Sequence, residues 1–363
     1  MKGCNMKKQG YSQDNFFGWL MSSPALLLLT IFVIIPLVMG LGWSFTNKRL
    51  ISPLPTEYIG LKNYDSILAI KLIPIDPILD ENGKPQIDEK GNIQYFRVRD
   101  VIRANPKYQD FRLYTEFNAF GNHFGIIAKD PDFYRALINT TLYVLMIVPA
   151  IGIISLLLAL LVNQRIWGVS IFRVLYFIPS ITSISVTSVV WMFLYNPDQG
   201  LINQLLQKIS FGAFGFSPWL QSADTALLAI ILYTIWQASG LFMVIFLGGL
   251  QDIPEDTYEA AKIDGANPFQ TLLYVVIPQL RNTIIYVVIT SSILGFRLFT
   301  QVDVMTKGGP EGSTLTLMMH TVNEGFRNQK IGYASAISIV FFIFILILTF
   351  TQRKIFKSEN VLE

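Results

Sequence analysis

The sequence predicts an all-α polytopic membrane protein of six transmembrane helices, with a small extracytoplasmic insertion after the first. Its 363 residues are 52% hydrophobic and only 15% charged, too apolar for an ordinary soluble protein. Six apolar stretches, at about 17–45, 137–162, 172–195, 225–250, 283–300 and 333–351, are long enough to cross a hydrocarbon core of roughly 20 residues. Lys and Arg in the short connections set the orientation. With both termini in the cytoplasm, Lys2, Lys7, Lys8, Arg165, Arg173, Lys262, Arg281, Arg353, Lys354 and Lys357 lie inside. Only Lys208, Lys307, Arg327 and Lys330 then lie in the two short outer loops, as the positive-inside rule asks. The long first loop is left out of the comparison, because long segments translocate largely regardless of charge.

In chain order, residues 1–16 form a polar, loosely ordered cytoplasmic tail. Its lysines precede an apolar run, Phe16 to Phe45, that exceeds a signal-peptide core of about 7–15 residues. No small-x-small cleavage site follows directly, so 17–45 reads as a retained anchor, bendable at Pro24 and Pro36. Residues 46–135 are long for a connection and should hold structure of their own. There Glu81-Asn82-Gly83-Lys84 and Glu89-Lys90-Gly91-Asn92 are turn signals flanking Pro85–Asp88, and the alternating Ile93–Val98 reads as a strand. A β-containing cap and an elaborated solvent loop are both compatible with this pattern. Cys4 is the only cysteine, so there is no disulfide framework and no cysteine metal site.

The core, 136–351, carries polar residues where lipid would not welcome them, and a tail at 352–363 returns to the cytoplasm. Helix three follows the short turn Asn163–Ile171 and holds Pro179, Ser180, Thr182, Ser183, Ser185, Thr187 and Ser188. These hydroxyls either line a pathway for a polar solute or join helices tightly. Helix four contains Trp236-Gln237-Ala238-Ser239-Gly240, and an aromatic ring beside an amide suits a sugar, whose apolar face stacks while its hydroxyls bond. Arg297 lies inside the fifth stretch, where a cation is costly unless it meets a partner, water or a cavity. It snorkels to the outer interface, pairs with Asp303, or faces the solute path and binds a carboxylate or phosphate there.

Tyr258–Pro278 is the long polar interruption of the apolar C-terminal half. Pro254 suits a first helical turn, Glu255 to Ile263 are good helix formers, and Asp264-Gly265 reads as a stop. Asn267-Pro268 starts a second helix. Asp252, Glu255, Asp256, Glu259 and Asp264 oppose only Lys262, while Ala260, Ala261 and Ile263 offer a small apolar surface. Such a helix has no core of its own and needs something to hold it. No G-x-x-x-x-G-K-[ST], G-x-S-x-G or H-E-x-x-H occurs, and His123 and His320 have no ligand-spaced neighbours, so no active site is apparent and the chain reads as no enzyme.

Tyr258-Glu259-Ala260-Ala261, Asp264-Gly265-Ala266, Phe269 and Ile277-Pro278 resemble the EAA loop (coupling loop 251–282) of bacterial ABC importer permeases. Arg173–Pro179 is similar to the opening of helix three in carbohydrate permeases. Thr306-Lys307-Gly308-Gly309-Pro310 and Tyr58–Tyr64 resemble two further motifs of the same group, the maltose-permease F-type subfamily. The likeness covers nearly the whole chain except the insertion at roughly 70–130. It implies the type I ABC importer permease fold in the bacterial inner membrane, alternating access, and coupling through Tyr258, Glu259, Ala260, Ala261, Asp264, Gly265 and Pro278. The implied partners are a second homologous permease, two ATPase subunits that bind ATP and Mg, a solute-binding protein, a saccharide and the lipid bilayer. This chain itself holds no cofactor, and no nucleic acid is implied. Substrate-lining positions of the maltose permease fall on Ser180, Ile184, Thr234, Ala238, Leu241, Gly295 and Leu298, to which the residues' own chemistry adds Ser183, Trp236, Gln237 and Arg297. Several of the matched positions are apolar here, so the sugar contacts differ. The expected solute is an acidic saccharide such as an oligouronide, or a phosphorylated sugar; the alternative is a neutral oligosaccharide, and a channel or secondary transporter is the rival class.

Overall fold

The computed structural model describes residues 6–80, 84–87, 93–119, 122–164, 167–213 and 215–356. Most of both turn signals in the first loop, together with Cys4, Arg165 and Lys357, lies outside the described residues. The chain divides into two compact units, Met1–Ser66 with Asn323–Val340, and Ile67–Val322 with Phe341–Glu363.

In the first unit, α1 (Met6–Leu29), a π turn (Thr30–Ile34) and α2 (Ile35–Ser44) make one apolar rod. The helix already starts at Met6, so much of the tail expected to be loose is helical. Pro36 is tolerated because the π turn widens the helix around Phe32, whose carbonyl the proline ring would otherwise meet. The Asn63 side chain donates to the carbonyls of Ser44 at 2.8 Å and Thr46 at 2.9 Å, satisfying acceptors that the end of α2 leaves open. Asn63 belongs to α3 (Lys62–Leu68).

The second unit opens with a cap: β1 (Ile70–Ile75), α4 (Val98–Ala104), β2 (Arg112–Ala119) and β3 (Asn122–Ala128). The strands are antiparallel in the order β1-β3-β2. Ile73, Ile75 and Ile127 pack on Val98, Ile102 and Phe111, so the β-containing cap is the correct alternative. Its strands are not where the sequence pattern put one. Ile93 and Tyr95 form only isolated bridges to Ile87 and Pro77, and Val98 already starts a helix. Prolines 77 and 85, which lack an N–H, leave that hairpin without a continuous ladder.

There follow α5 (Pro131–Val162), α6 (Val169–Ile181), α7 (Ile184–Leu194), α8 (Leu201–Ile209), α9 (Ala223–Gln251), α10 (Glu255–Ile263), α11 (Pro268–Thr271), α12 (Ile277–Gln279), α13 (Arg281–Phe296), α14 (Thr300–Met305), α15 (Leu317–Val322) and α16 (Ile331–Phe356). Among the described residues four helices are long and apolar enough to cross a membrane: Phe17–Ser44, Pro131–Val162, Ala223–Gln251 and Ile331–Lys354. The third and fifth expected spans are instead bent pairs, α6 with α7 at 100° and Pro268–Gln279 with α13 at 70°, giving six spans if each pair counts once. The first bend falls at Thr182 and Ser183, whose backbones are extended, just after Pro179 removes a helical donor. The second falls at Leu280, two residues after Pro278, which itself follows a π turn (Leu272–Val276) as Pro36 does.

Small residues let the core helices close up. A Cβ on Gly240 would stand 2.0 Å from the Tyr176 carbonyl oxygen, so α6 rests on α9 backbone against backbone. Tyr143 on α5 donates its hydroxyl to Thr234 on α9 at 2.8 Å, and Ser155 donates to the Ser239 carbonyl at 3.0 Å. Phe296 meets Phe341 and Phe344 edge-on, seating α13 against the second half of α16.

Candidate functional site

A cavity of about 430 Å³ lies among α5, α6, the start of α7, α9, α13 and the start of α14. Its volume falls within the range that holds small ligands, roughly 300–1,000 Å³. Ser180, Ile184, Thr234, Gln237, Ala238, Leu241, Gly295, Arg297 and Leu298 line it, brought together from four helices. Ser183 and Trp236 do not. Ser183 sits in the bend before α7, where its carbonyl accepts from Thr187. Trp236 joins an aromatic cluster with Trp191 and Tyr233, at 5.3 and 6.4 Å between ring centroids.

The hydroxyls are largely committed to the protein. Ser180 Oγ donates to the Gln237 carbonyl at 2.8 Å and accepts from the Leu241 N–H at 3.1 Å, placing itself between a helical donor and acceptor four residues apart. Thr234 accepts from Tyr143 and donates to the Ile230 carbonyl at 2.9 Å. Thr187 shares a hydrogen with Tyr233 at 2.7 Å, and Thr182 bonds back to Ile178. Three of the six hydroxyls after Pro179, those of Ser180, Thr182 and Thr187, therefore join helices or bond within their own, while Ser188 Oγ is buried with no partner among the described residues.

Other polar groups in the cavity remain unbonded. Among the described residues, the side chains of Gln237, Arg297, Thr300 and Gln301 have no hydrogen-bond or ion-pair partner. The pair with Asp303 is not formed. Arg297 is held by its backbone, as the C-cap of α13 with its N–H on Leu294 and Gly295. Among the described residues no Asp or Glu lines the cavity, so the guanidinium charge is uncompensated by them. Tyr143, Ser291, Thr300 and Gln301 also line it and went unnoticed in the sequence. Tyr143 and Ser291 belong to apolar helices, and Thr300 and Gln301 follow a helix break that the hydropathy pattern does not mark.

The polar stretch folds as α10, a turn and α11. Pro254 is the N-cap rather than a first-turn residue. Gly265 takes φ +77°, a left-handed conformation that side chains resist, and Asp264 is the C-cap. Asn267 and Gln270 cap α11 reciprocally. Of the expected apolar surface only Ala261 turns into the chain; Ala260 is exposed, as are Ile263 (86%) and Phe269 (68%). Tyr258 and Glu259 line a crevice of about 860 Å³ with Arg173 and Glu255. Burial pushes the Tyr258 hydroxyl pKa up. Arg173 donates twice to the Val162 carbonyl, at 2.8 and 3.2 Å, clasping the end of α5 to the start of α6.

The family model described as binding-protein-dependent transport system inner membrane component matches residues 121–358. The chain belongs to this family. It is a multi-pass inner-membrane transport subunit. The permease is 33% identical over 232 residues to the probable ABC transporter permease protein YurN of Bacillus subtilis, covering 63% of this chain and 79% of that one. It is also 33% identical over 240 residues to the arabinooligosaccharides transport system permease protein AraP of the same organism, covering 64% and 75%. Among solved structures, a bacterial ABC transporter involved in the import of the acidic polysaccharide alginate superposes with a TM-score of 0.66 over 98% of this chain and 100% of that one. At 15% identity that match concerns the fold. The motif resemblance to carbohydrate-uptake permeases agrees with these relatives.

Proposed function

We propose that the permease forms the translocation path of an ATP-driven importer for a saccharide bearing a carboxylate or phosphate. One observation carries the charge of the solute: among the described residues Arg297 lines the cavity without a counter-ion, and no carboxylate shares the lining. A guanidinium at membrane depth is disfavoured by about 2.5–3.5 kcal/mol on insertion scales, and an anionic solute offsets that cost by bidentate pairing. Gln237 and Gln301 supply amide donors and acceptors for hydroxyls, while Ile184, Leu241 and Leu298 meet the apolar faces of sugar rings. The carbohydrate-permease motifs and the arabinooligosaccharide relative support the saccharide class. A neutral oligosaccharide is the second reading, favoured by the predominance of apolar lining.

A solute-binding protein delivers the substrate from outside, where the cap at 46–135 lies, and a second permease completes the path. Both termini are cytoplasmic. Two ATPase subunits grip α10, whose exposed Ile263 and neighbouring Phe269 give an apolar contact. Glu259, exposed and without a charged partner among the described residues, meets a basic group there. Packed elements with few alternative arrangements pass such rigid-body motion onward.

Uptake by vesicles carrying Arg297→Ala tests the solute, with a uronate trisaccharide and its carboxyl-reduced form compared. Uronate uptake should fall at least about tenfold more than neutral uptake, the scale of one charge-assisted bond. Equal loss of both would sink the acidic reading. Glu259→Lys and Gly265→Pro should leave the protein in the membrane while ATP hydrolysis no longer drives uptake. Normal uptake in either would remove α10 from the coupling path.

A further inference from the structure

The segment after α14 carries a motif that the transport reading leaves unused, Thr306-Lys307-Gly308-Gly309-Pro310. It is folded as a hydrogen-bonded knot. The Thr306 and Thr314 hydroxyls share a bond of 2.8 Å, and Thr314 donates to the Gly309 carbonyl at 2.8 Å. The following residues are tied to α5. Asn139 donates to the carbonyls of Gly312 and Leu315 at 2.9 and 3.0 Å, and the Thr140 hydroxyl accepts from the Leu317 N–H at 3.0 Å. Further on, buried His320 Nε2 lies 2.8 Å from Asp130 Oδ2, while Oδ1 of the same carboxylate caps α5 on the Phe133 N–H.

One bond leads from this anchored segment to the cavity. Thr316, fully buried, donates its hydroxyl to the Leu298 carbonyl at 2.8 Å and accepts from the Met319 N–H at 3.3 Å. Leu298 lies in the break between α13 and α14, outside both helices, and directly follows Arg297. The Arg297 side chain has no partner among the described residues, so the backbone around it decides where the guanidinium stands. On the N-terminal side that backbone is fixed by α13. On the C-terminal side it is fixed at Leu298, through its N–H on Gly295 and its carbonyl on Thr316.

We infer that Thr316 is a positioning residue for substrate recognition: anchored through its own segment to α5, it fixes the α13–α14 break and so the place of Arg297 in the cavity. The inference rests on the reading of Arg297 as the anion-binding group. It is tested in vesicles containing the assembled importer, with saturation curves for the uronate trisaccharide and its carboxyl-reduced form. The variants are Thr316→Val, Thr316→Ser, Arg297→Gln and the double Thr316→Val/Arg297→Gln, each at a measured membrane level. Thr316→Val should raise the uronate KM about tenfold, the scale of one lost buried bond, with maximal rate and neutral-sugar KM unchanged. Thr316→Ser should restore the wild-type KM, and Thr316→Val should add nothing on top of Arg297→Gln. If Thr316→Val depresses both sugars alike, or its full effect persists on top of Arg297→Gln, Thr316 is merely structural and the Arg297 reading survives. If Arg297→Gln leaves the preference for uronate intact, the cavity reading fails and this inference falls with it.

Discussion

The α6–α9 wall and the α13–α14 wall border the same cavity and use their polar groups in opposite ways. On the first, Ser180 bridges the α9 backbone and Thr234 holds Tyr143, so each hydroxyl is spent on the protein. On the second, Arg297, Thr300 and Gln301 border the space with no side-chain partner among the described residues. Between closely packed helices Ser180 and Thr234 find partners on the neighbouring helix, whereas side chains beyond the α13 break, Thr300 among them, have no such neighbour. The groups left over after packing are those available to a solute. Gln237 is the exception on the first wall, an unbonded amide between two committed hydroxyls.

That contrast can be broken at several points. The largest effect belongs to Gly240→Val, whose Cβ would stand 2.0 Å from the backbone oxygen of Tyr176. Overpacking that backbone contact should cost about 3 kcal/mol and deplete the folded permease from the membrane, read by thermal stability in detergent. Wild-type stability would mean the two helices are not in backbone contact. Gln237→Ala should be milder, weakening solute affinity about tenfold in transport KM without lowering stability. Ser180→Ala should do the reverse and least: about 1 kcal/mol of stability lost, with KM within about twofold of wild type. A large KM change for Ser180→Ala with none for Gln237→Ala would exchange the roles assigned to the two.

Much of the molecule was legible in its residues. The apolar stretches located the four unbroken spans and overlapped both bent pairs, because hydrophobic length is a local property that needs no tertiary knowledge. Pro254, Asp264-Gly265 and Asn267-Pro268 marked the boundaries of α10 and α11 through capping chemistry equally local. The bends at Thr182 and Leu280 were not legible, since prolines permit bends without requiring them. Nor was the cap's sheet. Its strand Ile70–Ile75 pairs with Asn122–Ala128 across about fifty residues, whereas the nearer alternation at Ile93–Val98 has Pro77 opposite Tyr95.

By itself the sequence determined that this chain crosses the membrane and presents a short acidic helix between its apolar spans, and its motifs carried the likeness to ABC importer permeases. Composition, charge asymmetry and cap residues act within a few turns of the chain, so they can be read along it. Only the tertiary structure decided which polar residues are free. Ser180 and Arg297 looked equally suited to a solute in one dimension. Packing gives the hydroxyl a backbone bond on α9 and leaves the guanidinium facing the cavity beyond the end of α13.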